Sequence, residues 1–498
     1  MASAGSGSTP AANASPAAPA GLFSVFVSAR MAAMLALGFA SGLPLALSAG
    51  TLQAWLTVEN IDIKTIGYFS LVGLPYTFKF VWAPLLDRFE PPKFGRRRGW
   101  LVATQAALAV VCFAMASASP ADNIEWLAML AVAMAFLSAS QDVVFDAYRS
   151  DLLDGPERGA GAALSVLGYR LAMLVSGGLA LILADQWLGW PNAYRLMGAL
   201  MALAAIVSLF VPGLPNPVRA LSAMRKELTG FVAMVVAGVV VIMLARSVSG
   251  ALALSNDFAQ LAFNSVAMIA ACACALLAAR KVGFPSFVDP WDAYFTRENA
   301  LALLALIVLY KLGDAFAGSL STTFLIRGAG FTPTEVGAVN KVLGLLATIV
   351  GALAGGAWLA RRPLYHALMV FGLLQAVSNF GYWLIAVLPK SYPLMAAAIG
   401  LENLCGGLGT AAFVAFLMAL TDRRYSAAQY ALLSALSAVG RIYVGPAAGV
   451  MVAAFDWPLF FLLTVLTALP GLILLRFLRP VVLALDDDRS AERQQARE

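Results

Sequence analysis

The chain has 498 residues, 61% of them apolar and only 12% charged, with a formal net charge of +6. A water-soluble domain of this composition would aggregate, which places the chain among polytopic membrane proteins. The positive balance records where loops sit relative to a bilayer and argues for no nucleic-acid partner.

Residues 1–29 open on Ala, Ser, Gly and Pro and lack the basic flank and apolar region of a secretory signal, so a disordered tail is expected there. A helix needs about 20 apolar residues to cross the hydrocarbon core. Such stretches recur fourteen times, near 31–54, 65–86, 100–119, 125–146, 161–184, 192–212, 229–246, 258–279, 300–318, 337–359, 364–388, 392–420, 428–452 and 457–476. The expected fold is therefore all-α: an N-terminal six-helix half (30–213), a linker carrying two additional helices (214–298), a C-terminal six-helix half (299–480) and a polar tail (481–498).

Basic residues set the orientation. With the N-terminus inside, the inner loops hold seventeen, among them Arg96, Arg97, Arg98, Arg149, Arg361 and Arg362, whereas the outer loops hold Lys64, Arg195, Arg246, Arg327 and Lys390. Both termini are then cytoplasmic, which requires an even number of spans. An internal match supports two halves: Asp151 precedes Arg170 by nineteen residues, and Asp422 precedes Arg441 by the same interval. Each arginine ends a glycine-bearing segment (SVLGYR, SAVGR) and precedes a glycine-rich one (SGGLA, GPAAG). The additional pair carries almost no ionisable residue within its apolar cores and reads as a lipid-facing hairpin.

The loop after the second stretch reads APLLDRFEPPKFGRRRGW. It resembles the inner-loop motif of major-facilitator transporters, here Asp87 and Arg88 followed by a basic cluster, with extra residues between the two parts. The segments GFASGLPLALSAGTLQAWL, GYFSLVGLPYTFKFVWAPLLDR, SQDVVFDAYRSDLL and YKLGDAFAG, in that order, resemble the AmpG muropeptide permease family over nearly the whole chain. That resemblance implies a major-facilitator fold in the bacterial inner membrane. It also implies import of anhydro-muropeptides (GlcNAc-anhydroMurNAc-peptides) from periplasm to cytoplasm, driven by the proton gradient without another cofactor. The implied role is peptidoglycan recycling and, in some species, β-lactamase induction. The wider family includes acetyl-coenzyme A transporters.

Ionisable side chains are costly at mid-bilayer, so those that persist mark a pathway or a structural pair. Lys79, Arg170, Lys311, Asp314, Glu402 and Arg441 lie deep in apolar stretches. Lys311 and Asp314, three apart, share a helix face and read either as an internal ion pair or as a site for substrate and proton. Gln141, Asp142, Asp146 and Arg149 end the fourth stretch, where Asp142 and Asp146 fall on one face. Gln141 and Asp142 are assigned to the pathway. Asp146 and Arg149, with Asp87 and Arg88, are assigned to a conformational latch. Buried bases outnumber deep acids, which favours an anionic solute: peptide carboxylates, or the phosphates of a coenzyme A ester. Gln53 and Tyr169, with Trp55, Tyr76 and Trp383, offer hydrogen bonds and rings for a sugar, although for Trp55 and Trp383 anchoring at the interface is an equal reading.

A membrane-embedded enzyme would need a metal-ligand cluster or a nucleophile–base set. One histidine, His366, and scattered carboxylates supply neither, so no metal and no catalytic residue is assigned. There is no GxxxxGK[ST] loop for ATP. The remaining competitors are export of a drug or transport of another anion. Protons and membrane lipid are the further partners expected, and the chain is expected to be a monomer.

Overall fold

The computed structural model describes residues 28–88, 91, 94–153, 158–213, 221–252, 256–359, 361–421 and 426–485; most of both expected tails lies outside them. Among the described residues every regular element is helical. The N-terminal half contains α1 (Ala29–Leu47), α2 (Gly50–Val58), α3 (Ile63–Tyr68), α4 (Leu74–Arg88), α5 (Arg96–Ala116), α6 (Ile124–Leu152), α7 (Arg158–Leu174), α8 (Ala180–Leu183) and α9 (Gly189–Leu209). A hairpin follows, α10 (Leu221–Leu252) and α11 (Asp257–Val282), then the short α12 (Pro285–Phe295). The C-terminal half contains α13 (Ala300–Tyr310), α14 (Leu312–Ser319), α15 (Ser321–Thr323), α16 (Pro333–Val336), α17 (Gly344–Leu359), α18 (Leu364–Ser378), α19 (Phe380–Val387), α20 (Tyr392–Ala419) and α21 (Ser426–Phe477).

The ends of these helices follow local chemistry. Ser28 accepts from the Met31 amide, Asn123 from Trp126 and Asn256 from Phe258, so each satisfies a donor the first turn leaves open. Gly283, at φ +73°, closes α11 in the left-handed conformation that glycine adopts without strain. Pro44 sits in the last turn of α1, and the helix stops at Leu47 before restarting as α2.

Among the described residues, eleven helical runs are long and apolar enough to cross a bilayer, against the fourteen expected. Two of them, Leu164–Leu209 and Leu432–Phe477, run 46 residues, about 69 Å at ~1.5 Å per residue and more than twice the hydrocarbon core. Gly189 in the first and Asp456 in the second have positive φ and turn the helical path. The expected second stretch is absent from the eleven because the 3-10 segment Phe69–Gly73 divides it into α3 and α4.

Close helix approach is built on glycine. At Gly38 a Cβ would lie 2.3 Å from the Ser165 carbonyl oxygen, and at Gly168 2.2 Å from that of Leu35, so α1 and α7 meet backbone to backbone.

The buried side chains divide unevenly along the molecule. One cluster joins both halves, from Leu43 and Trp55 to Phe324 and Phe461. At the end that carries Arg96, Arg97 and Arg149 the core is split: Met31, Leu101 and Tyr148 belong to one cluster, and Leu303, Phe371 and Leu475 to another. The halves are thus packed together at the end opposite the basic loops and have separate cores at the basic end. The hairpin stands to the side, tied by Lys64 to Asp257 (2.5 Å) and by Phe258 to Phe455 (ring centroids 6.3 Å).

Candidate functional site

Two clusters of polar side chains sit inside the helical walls, one in each half. In the N-terminal half, Asp142 projects from α6 toward α1 and α4. Its Oδ1 accepts from Ser41 Oγ at 2.5 Å, and its Oδ2 lies 3.9 Å from Lys79 Nζ. Tyr76 and Tyr169 flank this carboxylate. Neighbouring Gln141 is 1% exposed, and neither atom of its amide has a hydrogen-bond partner among the described residues. Arg170 is half-buried on α7.

In the C-terminal half, the wall breaks at Lys311 between α13 and α14, where the backbone leaves helical geometry (φ −97°, ψ 2°). Lys311 Nζ lies 3.5 Å from Asp314 Oδ2, 3.4 Å from Gln375 Oε1 and 6.0 Å from the centre of the Phe413 ring. Glu402, on α20, accepts from Asn403 Nδ2 at 2.9 Å and lies near Tyr382. Thr348 Oγ1 in turn donates to Asn403 Oδ1 at 3.2 Å. Each half thus carries a lysine beside a carboxylate, surrounded by neutral hydrogen-bonding groups. This set can bind an anion and exchange a proton.

Beyond these clusters, at the closed end, the halves are stitched by polar contacts. Gln53 Nε2 donates to the Ser319 carbonyl at 2.8 Å, and the Thr57 and Thr323 hydroxyls lie 2.9 Å apart. Arg327 donates to the carbonyls of Thr57 and Ile61, both at 2.9 Å. Thr334 donates to Asp185 at 2.5 Å, and Ser70 to the Ile442 carbonyl at 2.8 Å. Backbones also approach closely across the halves: a Cβ at Gly67 would meet the Gly445 carbonyl at 2.6 Å.

The fold has counterparts among known proteins. A solved structure of a peptide transporter POT in complex with sulfate superposes with a TM-score of 0.68, covering 93% of this chain and 96% of that one at 14% identity, a likeness of fold. The family profile described as Acetyl-coenzyme A transporter 1 matches residues 30–124. The anhydromuropeptide permease of Escherichia coli (strain K12) is 52% identical over 451 residues, 91% of this chain and 80% of that protein. The chain belongs to the anhydromuropeptide permease family. A putative transporter AmpG 4 of Rickettsia felis is 29% identical over 92% of this chain and 98% of its own length.

Within this permease, the structure brings together Lys79, Asp142 and Tyr169 in one half and Lys311, Asp314 and Glu402 in the other. Gln53 stands apart from both, at the closed junction. Asp142 and Asp146 share a helix face in sequence but have different partners: Asp146 is exposed and pairs with Arg149 at 3.1 Å. The side chains of Asp87, Arg88 and Arg441 lie outside the described residues. Trp55 is 1% exposed and stacks on Trp190 within the N-terminal half (ring centroids 6.3 Å), so it is a packing residue, neither a sugar platform nor an interface anchor. Sequence reasoning passed over Ser41, Gln375, Asn379 and Tyr382. Gln375 and Asn379 are neutral and carry no charge signal. Their visible sign was two amides four residues apart, on one face of an apolar helix.

Proposed function

We infer that this chain is a proton-driven importer of anhydro-muropeptides. The observation that carries the substrate class is the 52% identity to a permease named for that solute, spread over 91% of the chain. The paired lysines and carboxylates supply the chemistry. A muropeptide brings peptide carboxylates, which suit Lys79 and Lys311, and sugar hydroxyls, which suit Gln141 and the tyrosines around Asp142. Asp142, Asp314 and Glu402 are the candidate proton carriers. When a carboxylate takes a proton its lysine loses a counter-charge and gains capacity for the substrate anion, so proton and solute are linked through the same ammonium.

The basic loops face the cytoplasm in this reading, which puts the closed junction on the periplasmic side and leaves the site open inward. Both termini are then cytoplasmic and the bilayer is the inner membrane. Import proceeds by rocking of the halves: the Gln53, Thr57 and Arg327 contacts part while the basic ends close, with Asp146, Arg149, Asp87 and Arg88 as the latch of the outward-open state. The solute crosses chemically unchanged, by a monomer, without cofactor other than the proton gradient.

The test is uptake of radiolabelled GlcNAc-anhydroMurNAc-peptide into proteoliposomes, with and without an inward proton gradient, with acetyl-coenzyme A as competitor. Gradient-dependent uptake that acetyl-coenzyme A does not inhibit upholds the assignment. Entry of acetyl-coenzyme A with the muropeptide left outside overturns it.

A further inference from the structure

We propose that Gln375 is a positioning residue: its amide shares the Lys311 ammonium with Asp314, so that the ammonium keeps an acceptor inside the membrane whenever Asp314 takes up a proton. The inference rests on the proton-coupled reading above.

Two helix junctions meet here: the path from α13 to α14 breaks at Lys311, and α18 passes into α19 at Asn379 with its backbone still helical (φ −61°, ψ −22°). One face of α18, spaced four, three and four residues, is fitted to the first break. The Leu368 carbonyl accepts from Tyr310 Oη at 2.8 Å, Gly372 packs against the Tyr310 ring, Gln375 Oε1 accepts from Lys311, and Asn379 Nδ2 reaches the Gly313 carbonyl at 3.4 Å. Gln375 is 5% and Asn379 1% exposed. Despite that burial, Gln375 Nε2 and Asn379 Oδ1 have no hydrogen-bond partner among the described residues. A buried amide with one atom engaged and the other idle is costly if its only purpose is to fill space.

The distances explain the arrangement. Lys311 Nζ stands 3.5 Å from Asp314 Oδ2 and 3.4 Å from Gln375 Oε1, held by neither in a short bond and within a small rotation of both. An ammonium that loses its charged partner in the low-dielectric interior is destabilised, so neutralising Asp314 leaves Lys311 in need of another acceptor. The Gln375 oxygen, 3.4 Å away, offers a neutral acceptor. Room for it comes from Gly409 on α20, where a Cβ would lie 2.4 Å from Gln375 Oε1. The titratable groups that face this junction are Tyr310 from α13, Asp314 from α14, Tyr382 from α19, and Glu402 and Cys405 from α20. From α21, Ala468 and Gly471 pack on the break at Gly313 and Leu309.

The experiment uses Gln375→Met, which keeps length and flexibility without the acceptor, and Gly409→Ala, which displaces the Gln375 amide without altering it. Three quantities are read in the full-length protein: proton-driven accumulation of the muropeptide, its counterflow exchange without a gradient, and the distance between spin labels on Val58→Cys and Tyr392→Cys at alkaline and mildly acidic pH. Both positions are exposed on opposite halves. In each variant accumulation falls about tenfold while counterflow stays within about twofold, and the label distance loses its response to pH. Equal loss of accumulation and counterflow, unaltered transport, or a pH response matching the parent protein overturns the role of Gln375. If the parent fails to accumulate muropeptide but its label distance responds to pH and that of Gln375→Met does not, the substrate assignment falls and the positioning role stands.

Discussion

Arg327 is the charged bolt of the closed junction, and its removal predicts a measurable shift between conformations. Its guanidinium donates to the Thr57 and Ile61 carbonyls at the end of α2, both at 2.9 Å, so one side chain of the C-terminal half holds two carbonyls of the other. Hydrogen bonds from a charged donor contribute about 1.5–3 kcal/mol when buried. The bond to Ile61 is exposed and the other part-buried, so about 2 kcal/mol for the two together is the appropriate figure. These bonds exist only while the junction is closed. Arg327→Ala should therefore raise the open-to-closed ratio by about 30-fold, and Arg327→Lys, which keeps a charge but lacks the fork, by about fivefold. The assay is alkylation of Ala317→Cys, a position 1% exposed in the core that joins the halves, by an impermeant thiol reagent, in a background with Cys272 and Cys274 replaced by alanine. Rates in the order Ala, Lys, parent are expected. A rate for Arg327→Ala within about twofold of the parent would mean that water replaces both bonds without cost, refuting the bolt.

Further consequences follow at other sites. Asp142→Asn leaves Lys79 without its counter-charge and weakens the acceptor of Ser41, so uptake should fall at least about tenfold while the protein still inserts, measured as initial rate per molecule in proteoliposomes. Gly168→Val sets new atoms against the backbone of α1 at Leu35 and Phe39, neither of which can yield like a side chain; a loss of about 1–3 kcal/mol is expected, seen as a lower apparent Tm in detergent. Lys64→Ala breaks the ion pair to Asp257, whose partners are 38% and 50% exposed, and should leave both Tm and uptake unchanged at physiological salt. A clear drop in either would give the hairpin a role in the transport cycle.

What the sequence revealed was whatever lies within one helix or follows from composition. Lys311 and Asp314 were legible as a pair because a spacing of three fixes their common face, and the structure sets them 3.5 Å apart. Lys79 and Asp142 were each visible as intramembrane charges, but their contact joins α4 to α6 and depends on how those helices pack, which no local pattern states. The count of spans departed from expectation where helices continue through a turn at Gly189 or Asp456, because periodicity registers apolar length and not direction. Trp55 misled for a related reason. A tryptophan near the end of an apolar stretch has the signature of an interface anchor, and only the neighbouring Trp190 and Tyr194 turn it into core.

The balance of charge shows why pairing matters more than counting. In sequence, the deep bases outnumber the deep acids, which suggests a cavity already positive and waiting for an anion. In the structure, Lys79 and Lys311 each have a carboxylate at hand, and Arg170 is the described deep base with no carboxylate within ion-pair distance among the described residues. A site whose lysines are neutralised by its own carboxylates binds an anion weakly until a proton displaces one of those carboxylates from the contest. Under the proposed proton coupling, the same arrangement makes substrate affinity depend on protonation, and by reciprocity makes protonation depend on substrate. A cavity of unpaired cations would bind the anion tightly in every state and release it in none. In the proposed cycle, pairing each lysine with an acid is what would let a gradient of protons, collected on one side and lost on the other, carry the solute with it.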